Sequence, residues 1–174
     1  MALADDLVTI FGLPAHPLLV HAVVVLLPMA AAGAAALAVV PRWRRKYAWP
    51  LLGVTLLGVG SVPLAQWAGD QLYARMAGLD NPLIEKHASL GNDLLPFALG
   101  FGVVVVAMLV AGRLADREGA AAADDPAVPK TWRRIAVVVA VLVVAAGAAA
   151  TVQTVRIGHS GSTAVWDGVA TPTP

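Results

Sequence analysis

The sequence predicts an all-α integral membrane protein whose 174 residues form one domain, a four-helix transmembrane bundle. Composition is the first observation: 59% of the residues are hydrophobic and 13% are charged, whereas soluble domains have about 45–50% and about 25%. Four long apolar segments are the second observation, and the uneven distribution of basic residues between them is the third. The high hydrophobic fraction makes the lipid bilayer the expected surrounding of the chain. The net charge of +1 gives no support for a nucleic-acid partner.

Each apolar segment is long enough to cross a membrane as a helix. Crossing roughly 30 Å of hydrocarbon takes about 20 residues, and backbone groups in lipid must form their hydrogen bonds within the segment. The first segment follows a leader that contains two acids and no Lys or Arg. We therefore expect a retained helix and not a cleaved signal peptide. The four predicted spans are residues 18–40, 49–67, 94–112 and 135–155.

Basic residues concentrate on one side of the predicted bundle. The loop between spans one and two carries four Lys and Arg, the loop between spans three and four carries five, and the opposite side carries three. Because cytoplasmic loops are enriched in Lys and Arg, both termini and the loop between spans two and three are expected to be extracytoplasmic. The expected location is the bacterial plasma membrane, with several passes through it.

Small residues and the connecting segments complete the expected architecture. Alanine and glycine at residues 30–36 and 145–150 predict close helix packing, because lipid supplies no hydrophobic drive between helices. The long outer segment is expected to extend the second helix beyond the membrane or to form a short amphipathic surface helix, ended by a turn signal at residues 80–82. The inner residues 119–123 are expected to form a flexible linker, and the tail at residues 167–174 to be disordered.

All four histidines fall on the expected extracytoplasmic side. His16 and His21 flank the start of the first span, His87 precedes the third, and His159 follows the fourth. Imidazole is the commonest metal ligand, and ligating groups at membrane depth are candidates for a functional site. The sequence thus predicts that distant stretches of chain bring imidazoles to one pocket. Four polar residues at the same helix ends could orient the rings as hydrogen-bond partners: Asp70, Asp93, Gln153 and Arg156.

Each of these residues also has a purely structural interpretation. A residue before proline avoids the helical region, so His16, before Pro17, is expected just outside the helix, with His21 packed about one turn inside. His87 can be a solvated loop residue. His159 can lie in a glycine-flanked turn after the last helix, and the four polar residues can be ordinary helix-end residues.

A family resemblance rests on the segment LPAHPLLVH, which ends at His21. It is similar to the opening motif of the bacterial DUF2231 membrane proteins. Further similar marks are Gly69-Asp70, His87 and the sequence GHSG at residues 158–161. In that family a Phe-Pro pair often follows the motif, whereas Ala22-Val23 stands here, which predicts a different local helix geometry.

The resemblance covers most of the chain and carries a functional implication. Similar domains are fused to, or neighbour, Rieske-type or cytochrome-type redox proteins. By resemblance, this implies a membrane electron-transfer or metallocentre role. The positions of this sequence that match are His16, His21, His87 and His159.

Two functions from different classes are therefore expected. In the first, two histidines on facing helices ligate a b-type haem, or three to four hold a copper, iron or zinc ion. Haem is the preferred version, and since small residues close the bundle, it could fit only near a splayed outer end. The alternative is a cofactor-free accessory or structural subunit that docks onto a larger membrane complex. The expected partner is a redox protein or another membrane-complex protein, or further copies of this chain in a homo-oligomer.

Other classes of function are disfavoured. The chain has no cysteine, which excludes a thiolate nucleophile, iron–sulfur ligation by this chain and covalent c-type haem attachment. Apolar helix interiors weigh against a channel or transporter, because such proteins need polar groups along their path. Catalytic turnover by this chain alone is not expected, since no nucleophile–base pair is visible.

Overall fold

The computed structural model describes residues 7–76 and 81–167. The expected all-α fold is confirmed, and four helical segments are long and apolar enough to cross a membrane. A two-residue hairpin, β1 (Thr9–Ile10) with β2 (Leu13–Pro14), precedes the helices. The helices are α1 (Ala15–Val39), α2 (Arg44–Arg75), α3 (Pro82–Asn92), α4 (Leu94–Asp124) and α5 (Thr131–Trp166), with a 3₁₀ turn at Pro41–Trp43.

The segment between the second and third spans is mostly helical. Helix α2 runs to Arg75, which matches the expected extension past the membrane. Helix α3 was not predicted, although its start carries ordinary signals: the Asn81 side chain accepts a hydrogen bond from the Leu83 N–H at 2.9 Å, and Pro82 takes the first helical position. The same residues had indicated a turn, since turn and helix-start signals overlap. Residues 77–80 lie outside the described part.

Three local expectations about helix ends are wrong. His16 lies inside α1, which begins at Ala15. The first-turn N–H groups of a helix have no partner within it, so Pro17 costs no hydrogen bond there. The GHSG segment lies within α5 and forms no turn after it, because α5 continues to Trp166. Residues 119–123 continue α4 and form no linker, as the high helix propensity of alanine favours.

The last turns of α4 contribute a hydrogen-bond acceptor to the start of α5. The Glu118 carboxylate accepts hydrogen bonds from the backbone N–H groups of Trp132, at 3.1 Å, and Arg133, at 2.9 Å. These donors belong to the first turn of α5, where no carbonyl of the helix can reach them. A carboxylate at this positive helix end is favourable. Helix α4 thus caps the start of α5. Of the tail at residues 167–174, expected to be disordered, residues 168–174 lie outside the described part of the chain.

The four long helices form a ring in the order α1, α2, α4, α5, and α1 lies diagonally opposite α4. Phe101, Val105 and Met108 of α4 are fully buried at its centre. Phe101 lies against Gly147 of α5, where an added Cβ would be 3.2 Å from the ring and 3.0 Å from the Ala31 Cβ. A glycine at this point lets α5 approach both neighbours closely, as expected for helices packed in lipid.

Buried hydroxyl groups in the spans bond to their own helices. Thr55 donates to the Leu51 carbonyl at 2.8 Å, and Thr154 donates to the Ala150 carbonyl at 2.8 Å. Within the described ranges no buried side-chain nitrogen or oxygen lacks a hydrogen-bond partner. These buried hydroxyl groups are therefore satisfied within their own helices, as lipid requires.

The close approach at Gly147 predicts a position-specific effect. Gly147→Val should destabilise the folded protein by about 1–3 kcal/mol, because the added methyl groups overpack against Phe101 and Ala31. Gly100→Val is the matched control, since an added Cβ there meets no atom within 4 Å. Denaturant unfolding in detergent, followed by tryptophan fluorescence, measures both variants. Equal destabilisation at the two positions would contradict this packing.

Candidate functional site

One end of the bundle gathers the start of α1, the later turns of α2, helix α3 and the later turns of α5. Here His16 of α1 and His87 of α3 lie beside each other, with ring centroids 6.3 Å apart and ring planes at 78°. Both side chains are half-buried. The basic loops lie at the opposite end. Two of the four predicted histidines are therefore neighbours, although 70 residues of chain separate them.

The ring of His16 is held by α2. Its Nδ1 donates a hydrogen bond to the Ala65 carbonyl at 2.9 Å. The ring lies on Gly69, where an added Cβ would be 2.9 Å from both Cε1 and Nδ1 of His16. Because a carbonyl can only accept, Nδ1 carries the proton, and in the neutral ring Nε2 keeps a lone pair.

The ring of His87 is held by α5. Its Nδ1–H is shared between the Ile157 carbonyl, at 3.2 Å, and the Ser160 hydroxyl oxygen, at 3.1 Å. Ser160 in turn donates to the Ile157 carbonyl at 2.8 Å. The ring lies on Gly161, where an added Cβ would be 2.9 Å from Cε1. His87 therefore also presents an unprotonated Nε2 in its neutral form.

The two rings are held by the same local arrangement. In each, Nδ1 donates to a helix carbonyl, and the ring covers the glycine four residues later: Ala65 with Gly69, and Ile157 with Gly161. Four residues is about one helical turn, so acceptor and glycine lie on one face. The same arrangement therefore occurs twice, once between α1 and α2 and once between α3 and α5. Together the two contacts bring the imidazoles to the same end of the bundle.

The other two predicted histidines do not join the pair. His21 is exposed, and its Nδ1 donates to the Pro17 carbonyl of its own helix at 2.6 Å. His159 is exposed on α5. Among residues 7–76 and 81–167, no group of three or more His, Cys, Asp or Glu side chains is arranged to hold a metal ion. Neither paired histidine forms an ion pair with a carboxylate of those residues.

The four polar residues predicted to orient the rings contact other groups or are exposed. Gln153 is buried, donates to the Leu90 carbonyl of α3 at 3.3 Å and accepts from Arg156 at 3.2 Å. Asp70 and Asp93 are exposed. Gln153 therefore bonds to the backbone of α3, which carries His87, and Arg156 bonds to Gln153 and not to an imidazole.

A second glutamine, Gln66 of α2, was missed as a site residue. Its Nε2 donates to the Gly91 carbonyl at 2.8 Å and the Asn92 carbonyl at 3.3 Å. The last carbonyls of a helix have no partner within it, so Gln66 of α2 and Gln153 of α5 together satisfy the end of α3. The sequence held a signal for this role, because Gln66 is the one strongly polar residue of its predicted span.

Because each ring contacts a glycine, we predict that Gly→Ala at these positions changes the free energy of unfolding in the opposite direction from the usual one. In a helix, Gly→Ala normally stabilises by up to about 1 kcal/mol. Gly69→Ala and Gly161→Ala should instead destabilise by about 1 kcal/mol or more, because the displaced imidazole loses its Nδ1 hydrogen bond. Gly158→Ala is the control, with no atom within 4 Å of an added Cβ. The measurement is the free energy of unfolding, and stabilisation at all three positions would refute the arrangement.

The comparison with known proteins agrees with the resemblance seen in the opening motif. A family model described as DUF2231, predicted membrane protein, matches residues 12–173. No curated protein and no solved structure gives a match. The matched region includes both paired histidines and all five helices of the bundle. This chain therefore belongs to the DUF2231 family of predicted membrane proteins.

Proposed function

We propose that this membrane protein binds a single transition-metal ion between His16 and His87. The observation that carries the proposal is the convergence of two imidazoles whose Nδ1 atoms are both engaged by backbone carbonyls. Metal-ligating histidines commonly donate their other ring N–H to a carbonyl, which selects the tautomer and orients the ring. Both Nε2 atoms then remain for coordination.

The separation of the rings is compatible with a shared ion. Histidine nitrogen lies about 2.0–2.1 Å from a bound zinc ion, and with roughly 1.2 Å from nitrogen to ring centre, each centroid lies about 3.2 Å from the ion. Two opposed rings on one ion therefore have centroids separated by up to about 6.4 Å. The 6.3 Å between His16 and His87 is near this upper limit. An ion that accepts nearly opposed nitrogens, such as copper(I), needs the least ring movement.

Two protein ligands favour an open centre over a closed structural one. Structural zinc sites use four protein ligands, whereas sites that act on other molecules keep positions for water or an incoming ligand. When copper or iron is bound, the ion supplies one-electron redox chemistry. We therefore propose a redox or metal-handling centre at the expected extracytoplasmic face of the plasma membrane, open to a partner protein.

A b-type haem is the larger cofactor that the same pair could ligate. Haem needs a flat slot for its porphyrin as well as two axial nitrogens. Each ring lies flush on a glycine with no room for an added methyl group, and the neighbouring Ala15 and Ala68 are buried. A single ion makes smaller steric demands on this bundle end, and we prefer it for that reason.

A cofactor-free accessory subunit is the second candidate. It is favoured by the fact that each imidazole bridges two elements: His16 joins α1 to α2, and His87 joins α3 to α5. In that case the histidines act as hydrogen-bonding struts, and the protein contributes packing surface to a larger membrane complex.

Metal content of the purified protein distinguishes the two candidates. After loading with copper(I), zinc or iron(II) and removal of free metal, elemental analysis should find one ion per chain. His16→Ala and His87→Ala should each lower the affinity for that ion by more than about tenfold, since each removes a ligand. His21→Ala and His159→Ala are the matched controls and should bind like the unaltered protein.

Three outcomes would redirect the assignment. Binding that survives loss of either paired histidine would place the ion elsewhere. No bound ion, with the unfolding free energy lowered in both pair variants, would favour the accessory subunit. A Soret band that requires both His16 and His87 would replace the single ion with haem.

A further inference from the structure

We propose that the opposite end of the bundle holds one anionic phospholipid in a groove between α2 and α4. The groove has a volume of about 80 Å³ and is lined almost wholly by apolar side chains, with one arginine, Arg113, at its margin. Trp49 lines the same groove from α2. Its other lining residues include Leu52, Val106, Leu109 and Val110.

A second guanidinium group, that of Arg44, lies close to the Arg113 margin of this groove. Arg113 is held over the ring of Trp49, with its Cζ 5.5 Å from the ring centroid, a geometry typical of a cation–π contact. The side chain of Arg44 lies on Gly112, the residue before Arg113, so closely that an added Cβ would be 3.0 Å from the Arg44 Cζ. Glycine at this position therefore lets the Arg44 guanidinium lie against α4 next to Arg113.

Neither guanidinium pairs with a carboxylate of the described part of the chain. Among the residues that the structure describes, Arg44 donates to the Pro41 carbonyl at 3.4 Å and pairs with no carboxylate, and Arg113 also has no carboxylate partner. The nearby acid Asp116 pairs with Arg45, at 3.9 Å. Two neighbouring like charges repel each other, so a bound anion would relieve that repulsion. Guanidinium groups match the oxygens of a phosphate group particularly well.

The arginines and the apolar groove lie next to each other, as the charged headgroup and the acyl chains of a phospholipid do. Trp43 and Trp49 lie beside the basic cluster at this end of α2, and tryptophan is enriched at the membrane interface. Basic pockets between transmembrane helices bind anionic headgroups on the cytoplasmic side, which is the side expected for these loops. The phosphate would contact Arg44 and Arg113, and one acyl chain would fill the groove below them.

Native mass spectrometry of the full chain tests this directly. The detergent-purified protein is incubated with phosphatidylglycerol or phosphatidylcholine of identical acyl chains. We expect one retained phosphatidylglycerol and a preference over phosphatidylcholine of at least fivefold. Arg113→Gln and Arg44→Gln should each reduce that preference towards unity. Arg133→Gln, an exposed basic residue of α5 at the same end, is the matched control and should retain it.

A second variant keeps the charges and fills the groove. Val110→Phe should lower retention of phosphatidylglycerol, because the larger side chain takes the space proposed for the acyl chain. Circular dichroism checks that each variant remains helical. Equal retention of the two lipids, an equal loss in Arg133→Gln, or full displacement of the lipid by millimolar inorganic phosphate would overturn the proposal. The last result would identify an anion site without lipid specificity.

Discussion

The bond from an imidazole Nδ1–H to a helix carbonyl, made over a glycine one turn later, determines the architecture of one end of this protein. It occurs at His16 and again at His87. In each case the ring can reach the carbonyl only because the glycine has no Cβ. The bond selects the tautomer, keeps the ring close to the backbone of a second helix, and directs its remaining chemistry to Nε2. Both the proposed metal centre and the proposed strut role derive from this contact.

Helix α3 connects that contact to the rest of the bundle. It carries His87, and its final carbonyls are bonded by Gln66 and Gln153 from two different long helices. A short helix of 11 residues is marginal by itself in water. Its position therefore depends on these tertiary hydrogen bonds and on the bond from His87 to α5. The orientation of one imidazole of the pair is in this way determined by polar groups on two other helices, α2 and α5.

The two ends of the bundle have opposite chemistry. At one end two imidazoles are bonded to backbone carbonyls, and at the other a guanidinium group lies at the margin of an apolar groove. Between them, the spans contain self-satisfied hydroxyl groups and close contacts at small residues such as Gly147. The apolar middle is suited to lipid, and the two proposed sites lie at the ends of the bundle, where polar groups of a membrane interface would be within reach.

Sequence alone determined the fold class, the number of spans and the concentration of histidines at one end, because hydropathy and the distribution of Lys and Arg are linear properties of a membrane chain. It also marked Gly69 and the GHSG segment through a family resemblance, without a structural role for either glycine. Only the tertiary structure decided that His16 and His87 become neighbours while His21 and His159 do not. That outcome depends on helix rotation and register, which are set by close contacts between elements far apart in the chain and leave no periodic signal in one sequence.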